Sequence, residues 1–215
     1  MSHHGKVTQP RSTPLSRLLE ETPDKKVTPL DAFRLARKRW LEGERLDIGK
    51  LAAELGVARA TVFRWVGTRE NLYGEICSAL FTKLVERAEA IAKGQGVDKM
   101  LDVMERLLRA LSNAAPLRTF VSQDPEFALR VLTGRGSTVQ YRCVQQIREL
   151  IFQLVPEPAL PAEELAYIIV RITESFLYRD ALTGDTVDVE AAIRAIRVLL
   201  TAPPEKKRKR AASTG

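Results

Sequence analysis

From Thr28 onward the apolar residues recur every three or four positions, and no stretch keeps the two-residue alternation of a strand. Thr28-Pro29-Leu30-Asp31 reads as a helix start, with Thr28 as cap, Pro29 at the first helical position and Asp31 in the first turn. Ala32, Phe33, Leu35, Ala36 and Trp40 form the apolar side of that helix, and Gly43 ends it in a left-handed cap. Asp47 opens a second helix that buries Ile48, Leu51, Ala52 and Leu55, and Gly56 breaks it after two turns. A short segment from Ala58 to Trp65 follows, and Gly67 punctuates again. Arg69 begins a long amphipathic helix to about Ala92, with Leu72, Ile76, Ala79, Leu80, Leu84 and Ile91 on its apolar side.

Beyond a turn at Lys93-Gly94-Gln95-Gly96 the pattern stays helical. Asp98 is expected to cap a helix carrying Met100, Leu101, Met104, Leu107, Leu108 and Leu111. Short helices are predicted from Pro116 to Gln123 and from Asp124-Pro125-Glu126 to Gly134. Ser137 to Val155 forms a long helix, then Pro156, Pro158 and Pro161 stiffen a loop. The last two helices run from Ala162 to Thr183 and from Asp188 to Leu200. The expected fold is all-α, about nine helices, without internal repeats.

The first three helices carry the chemistry. Helix, glycine turn and second short helix over residues 47–66 make a helix-turn-helix. Leu51, Ala52, Leu55, Val57, Val62 and Val66 pin the pair together, and Gly56 supplies the backbone freedom of the turn. Arg59, Ala60, Thr61, Phe63, Arg64 and Trp65 are left facing outward. Arginines suit guanine edges, small or apolar groups suit thymine methyls, and a hydroxyl suits phosphate. Large aromatics beside arginines on an exposed two-turn helix call for a partner, and that weighs against a plain helical corner.

Composition changes this picture little. The 215 residues are 45% hydrophobic and 28% charged, an ordinary globular balance. No apolar run is long enough to span a membrane, and the first ten residues lack a secretory core. Cys77 and Cys143 are too few for a disulfide framework, so a cytoplasmic protein with free thiols is expected. The formal net charge is +7, but it is unevenly spread. Residues 203–215 carry +4, residues 1–27 and 28–92 carry +2 each, and residues 93–202 carry −1. Most of the excess lies in the tail run Lys206 to Arg210, where it would add non-specific affinity for DNA rather than choice of sequence. The chain therefore divides into a flexible basic arm (1–27), a helix-turn-helix domain (28–74), a regulatory domain (75–202) and a disordered basic tail (203–215).

Residues 29–80 resemble the DNA-binding domain of the TetR family of bacterial repressors. The segments that carry the likeness are Thr61-Val62-Phe63-Arg64-Trp65-Val66 and Arg69-Glu70-Asn71-Leu72. Gln123-Asp124-Pro125-Glu126-Phe127 and Leu182-Thr183-Gly184-Asp185 are similar to the QsdR-like subgroup of that family, whose members regulate degradation of quorum-signal lactones. The resemblance implies DNA contacts from Lys50, Arg59, Ala60, Thr61, Phe63, Arg64, Trp65, Thr68 and Arg69. Three departures stand out: Ala58 replaces a Ser or Thr cap, Phe63 lacks a tyrosine hydroxyl, and Gly49 stands where a basic residue is common. Those departures leave room for a ligand-binding or interaction protein with weak DNA binding.

Residues 93–202 contain no His and no phosphate-binding glycine motif, so neither catalysis nor a metal or other cofactor is expected. The apolar surplus points to a pocket and an interface. Met100, Met104, Leu108, Phe120, Phe127, Tyr141, Phe152 and Tyr178 are the candidate ligand contacts, with Arg106, Arg109 or Glu174 for a polar head. An apolar pocket of this kind suits a lipophilic effector, a lactone or fatty acyl compound. The last two helices are apolar on more than one side, and the resemblance implies that they form a four-helix homodimer interface. A two-fold dimer would present two recognition helices to a pseudo-palindromic operator in double-stranded DNA.

Overall fold

The structure is a computed structural model that describes residues 26–179 and 183–203. Residues 1–25 of the predicted arm (1–27) and residues 204–215 of the predicted tail, with its basic run, lie outside the described residues. Ten helices are present among the described residues, one more than the pattern suggested. They are α1 (Pro29–Leu41), α2 (Ile48–Glu54), α3 (Arg59–Val66), α4 (Arg69–Ile91), α5 (Gly96–Ser112), α6 (Ala115–Gln123), α7 (Pro125–Thr133), α8 (Thr138–Leu154), α9 (Ala162–Leu177) and α10 (Val189–Thr201). The fold is all-α, as the periodicity requires.

Local chemistry sets most helix starts. At α1 the Thr28 hydroxyl accepts the Asp31 N–H at 3.3 Å, and the Asp31 carboxylate accepts the Thr28 N–H at 3.0 Å. This reciprocal pair is a capping box. Asp47, Asp124, Ser137 and Asp188 cap α2, α7, α8 and α10 through their side chains. Each satisfies one N–H that the first helical turn leaves without a partner.

Two expected boundaries move. Helix α5 starts at Gly96, two residues before Asp98, and its cap position Gln95 makes no side-chain bond. Gly94 and Gly96 hold φ of +88° and +56°, a tight bend that side chains rarely adopt. Asp102 secures that bend by accepting the Lys93 N–H at 2.7 Å and Arg106 Nε at 2.8 Å. Helix α9 stops at Leu177 rather than Thr183, where Tyr178 leaves helical geometry and is buried.

Helices α1 to α3 form a small domain that docks on the N-terminal half of α4. Ala36 and Val62 are fully buried, and Trp40, Leu51 and Ala52 close the same small core. Helix α4 then runs into a larger helical body, packing on α5, α8 and α7, while α9 lies along α8 and α10 lies against α5 and α9. The buried residues of both parts belong to one continuous apolar cluster. Helix α4 is therefore the structural link between the small domain and the large one.

Candidate nucleic-acid interface and effector cavity

The turn between α2 and α3 is built as the glycine predicts. Gly56 has φ +67°, and the Val57 N–H reaches back to the Ala52 carbonyl at 3.0 Å. Val62 then faces inward, and a 3.6-residue period puts Trp65 and Val66 on the same inner side. Arg59, Ala60, Phe63 and Arg64 lie on the opposite side and are exposed, with Phe63 at 53%. Trp65 departs from the outward position expected of it, because it is half-buried against the core. Thr61 is half-buried at the edge of the outer face. Ala58 holds the cap position of α3 without any side-chain bond, as its methyl dictates.

Lys50 is exposed on α2, and its N–H is held by Asp47 Oδ1 at 2.8 Å. That bond holds the Asp47 carboxyl below its usual range, so it stays ionised as a cap. Among the described residues Lys50, Arg59 and Arg64 form no ion pair. Arg59 and Arg64 thus share the exposed side of α3 with a phenyl ring, and the Asp47 carboxylate lies near enough to feel the charges of Lys50 and Arg59.

The other two expected contacts are differently placed. Thr68 caps α4, giving its hydroxyl proton to Asn71 Oδ1 at 2.7 Å and accepting the Asn71 N–H at 3.2 Å. Thr68→Ala should cost about 1 kcal/mol of unfolding free energy. Chemical denaturation measures it, and an unchanged midpoint would mean the cap is dispensable. The Arg69 guanidinium lies 4.1 Å above the Phe127 ring of α7, turned toward the large domain. Arg69 therefore braces the two domains through a cation–π contact.

Phe127 belongs to an aromatic knot at this joint. The Tyr73 ring stacks on Phe120 at 4.5 Å and meets Phe127 edge-on at 5.5 Å. Phe120 and Phe127 are 6.0 Å apart, also edge-on. The Tyr73 oxygen accepts the buried N–H of Leu46, in the loop before α2, at 2.9 Å. Arg45 in the same loop pairs with Asp124 at the α6–α7 corner at 2.9 Å. The domain carrying α3 is thus fastened to α6 and α7 by ring stacking, the Arg69 cation–π contact and one ion pair, with the Leu46 bond holding the Tyr73 ring in place.

Inside the large domain, α4 to α9 enclose a cavity with room of about 50 Å³ for water-sized molecules. Two further pockets of about 220 Å³ and 210 Å³ share walls with it, the first through Leu177 and Tyr178, the second through Glu174 and Tyr178. Of the eight candidate ligand contacts, Met104 and Tyr178 line the central cavity. Met100, Leu108, Phe120 and Phe127 are buried but belong to the core or the aromatic knot. Tyr141 and Phe152 correct the expectation most clearly: they are 66% and 65% exposed on the outer side of α8. Among the polar candidates, Glu174 lines the cavity. Arg106 is bound to Asp102, and Arg109 to Glu105 and Glu190, away from it.

Cys77, Phe81, Cys143 and Thr173 also line the cavity and were not singled out from sequence. Periodicity marks them as inward residues, and nothing local separates a cavity wall from solid core. Burial pushes the Cys77 thiol up to about 12 and raises Cys143 as well, so both remain protonated and unreactive. Burial also lifts the Glu174 carboxyl to about 7, against the opposing pull of Arg171. Among the described residues no group of three or more His, Cys, Asp or Glu could hold a metal, and no helix is long and apolar enough to cross a membrane.

Comparison with known proteins agrees with this architecture. Residues 95–201 match the family described as tetracyclin repressor-like, C-terminal domain. No curated protein sequence gives a significant match. Among solved structures, the R. erythropolis transcriptional repressor QsdR, from the TetR family, is similar at 28% identity and a TM-score of 0.76, covering 83% of this chain and 96% of QsdR. A Pseudomonas aeruginosa PAO1 protein provisionally assigned as a transcriptional regulator shares the fold, at 14% identity and a TM-score of 0.53, covering 84% of this chain and 93% of its own. With a helix-turn-helix ahead of the matched C-terminal domain and the architecture of QsdR over most of its length, the chain belongs to the TetR family of transcriptional regulators.

Proposed function

We propose that the protein is a ligand-responsive repressor that binds a pseudo-palindromic operator as a homodimer and releases it when a small lipophilic effector fills the cavity. The observation that carries the reading is the outer face of α3. Arg59, Ala60, Phe63 and Arg64 are exposed together on a helix whose other side is buried by the α2 packing, and among the described residues neither arginine forms an ion pair. That is the arrangement of a recognition helix seated in a major groove. The similarity to QsdR, a transcriptional repressor, supports the same direction of control.

The last two helices supply the dimer surface in this reading. Tyr167 of α9 and Val198 of α10 are exposed at 52% and 68%, with Ile168, Ile172 and Leu199 half-buried nearby. Apolar side chains in this number at one surface are covered by a second copy. The effector would act by a population shift, favouring a dimer whose α3 helices no longer match successive turns of the groove. The aromatic knot links the cavity-lining helices to α3 and is the natural path for that shift.

Arg59→Ala tests the reading directly. It should weaken operator binding by about 1–3 kcal/mol and relax sequence choice at one position, because a bidentate arginine reads a base edge. Fluorescence anisotropy with promoter fragments upstream of the protein's own gene, against shuffled DNA, measures both. Equal losses on both DNAs would reduce Arg59 to a phosphate contact, and no preference for any promoter would remove the repressor reading.

A further inference from the structure

The cavity is apolar over most of its wall but has one polar end. Thr173 and Glu174 lie side by side on the last turns of α9, and both line the space. Thr173 Oγ1 is buried and makes no hydrogen bond. Leaving such a group unpaired is costly, so an unpaired hydroxyl facing a cavity marks a place where a ligand atom belongs. Beside it, Glu174 uses only one oxygen within the chain, Oε2, which accepts from Arg171 Nη1 at 2.8 Å. Among the described residues Oε1 accepts nothing, so this end of the cavity offers a carboxylate acceptor beside a hydroxyl that can also accept.

The charge at this end is equally one-sided. No Lys or Arg lines the central cavity. Arg171 lines the adjoining pocket past Glu174, and its guanidinium is already committed to that carboxylate. Burial alone raises the Glu174 carboxyl to about 7, so the site already resists one negative charge. A second anion placed against it would meet repulsion without a free cation. The opposite wall, with Leu80, Phe81, Met104, Leu107 and Ile147, offers only hydrocarbon and sulfur.

We propose that the effector is an uncharged amphipath whose polar end is a hydrogen-bond donor, an amide N–H or a hydroxyl, seated on Thr173 Oγ1 and Glu174 Oε1, with its apolar part running between α4, α5 and α8. This excludes free fatty acids and other carboxylate-headed lipids from the site. It rests on the ligand-responsive reading above and narrows it: the neutral amide or alcohol class separates from the anionic acyl class by the chemistry of two residues. The central cavity is small as it stands, so the apolar part extends along α5 into the adjoining pocket of about 220 Å³, which shares Leu111, Leu117, Leu177 and Tyr178 with it.

Calorimetric titration of the full chain with three eight-carbon probes tests this at pH 8. Octanamide has donors, N,N-dimethyloctanamide has none, and octanoate is an anion of the same length. Octanamide should bind at least ~10-fold more tightly than either of the others, the size expected for a hydrogen bond to a charged acceptor. Thr173→Val, which keeps the side-chain shape, should erase much of the gap to the dimethyl amide. Glu174→Gln should narrow the gap to octanoate by removing the like charge. If all three bind equally, the head-group proposal falls while the effector cavity stands. If none of the three binds, the cavity is not an effector site and both readings fall.

Discussion

Phe127→Ala is expected to lower the unfolding free energy by about 3–5 kcal/mol, the usual cost of truncating a buried phenyl ring. Phe127 is buried, meets Tyr73 and Phe120 edge-on, and carries the Arg69 guanidinium on its face. Truncation therefore opens a void at the place where α4, α6 and α7 meet. It also unseats Arg69, at the first residue of the helix that follows α3. Urea denaturation of the wild type and the variant reads the first effect; a loss under ~1 kcal/mol would show that the joint is not a packed core. Phe127→Leu separates the two roles. Leucine keeps most of the apolar volume, so stability should largely return. Leucine has no ring for the guanidinium, so if the knot carries the effector signal, operator binding should become less responsive to effector. A Leu variant with unchanged response would confine the knot to a stabilising role.

Glu174→Gln is expected to make the protein more stable above neutral pH, by as much as about 3 kcal/mol, and to leave acid stability nearly unchanged. Burial raises the folded-state value of the Glu174 carboxyl from 4.5 to about 7. The folded chain thus holds this proton more tightly than the unfolded chain does. The resulting stabilisation is fully present below pH ~4.5 and is lost as pH rises through about 7, where the buried group must ionise. Glutamine has no such transition. The groups that face Glu174 do not blur the comparison: Arg171, its ion-pair partner, is common to both proteins, and burial raises Tyr178, Cys143 and Cys77, so these three stay neutral between pH 5 and 8. Denaturation midpoints measured from pH 5 to 8 should converge at the acid end and separate at the basic end. Parallel curves would mean that Glu174 is solvated.

This carboxylate ties stability to function. A neutral donor bound at Glu174 and Thr173 would satisfy groups that the empty fold leaves unpaired, and so would stabilise the ligand-bound conformation by its differential affinity. Glu174, whose ionisation weakens the folded state above neutral pH, is also the group that the proposed ligand would satisfy.

The small domain was largely legible in the sequence because its signals are local. Thr28, Pro29 and Asp31 start α1 within one turn, Asp47 caps α2, and Gly56 supplies the positive φ of the turn. The spacing of Leu51, Ala52 and Val62 identified the buried side correctly. Trp65 shows where that reading stops. Its large aromatic ring suggested an exposed contact, but its place three residues after Val62 puts it on the inner side, half-buried against the core. Periodicity, not the chemical character of the ring, decides which side of α3 this residue occupies.

The large domain was legible as helices and not as a site. An amphipathic pattern states which side of a helix is covered, but not by what: solid core, cavity or a second copy all demand the same apolar residues. Tyr141, Phe152, Met100 and Tyr178 were equal candidates in sequence. Packing of α4 and α9 around α8 turned the first two outward, Met100 was closed into the core, and only Tyr178 reached the cavity. Helix class, the caps at Thr28, Asp47, Asp124 and Asp188 and the glycine turn before α3 were thus determined by the sequence alone, because each depends on contacts within a few residues. The cavity, its polar end at Thr173 and Glu174, and the aromatic joint at Tyr73, Phe120 and Phe127 were decided only by the tertiary structure. They are made of residues far apart along the chain, brought together by how whole helices pack.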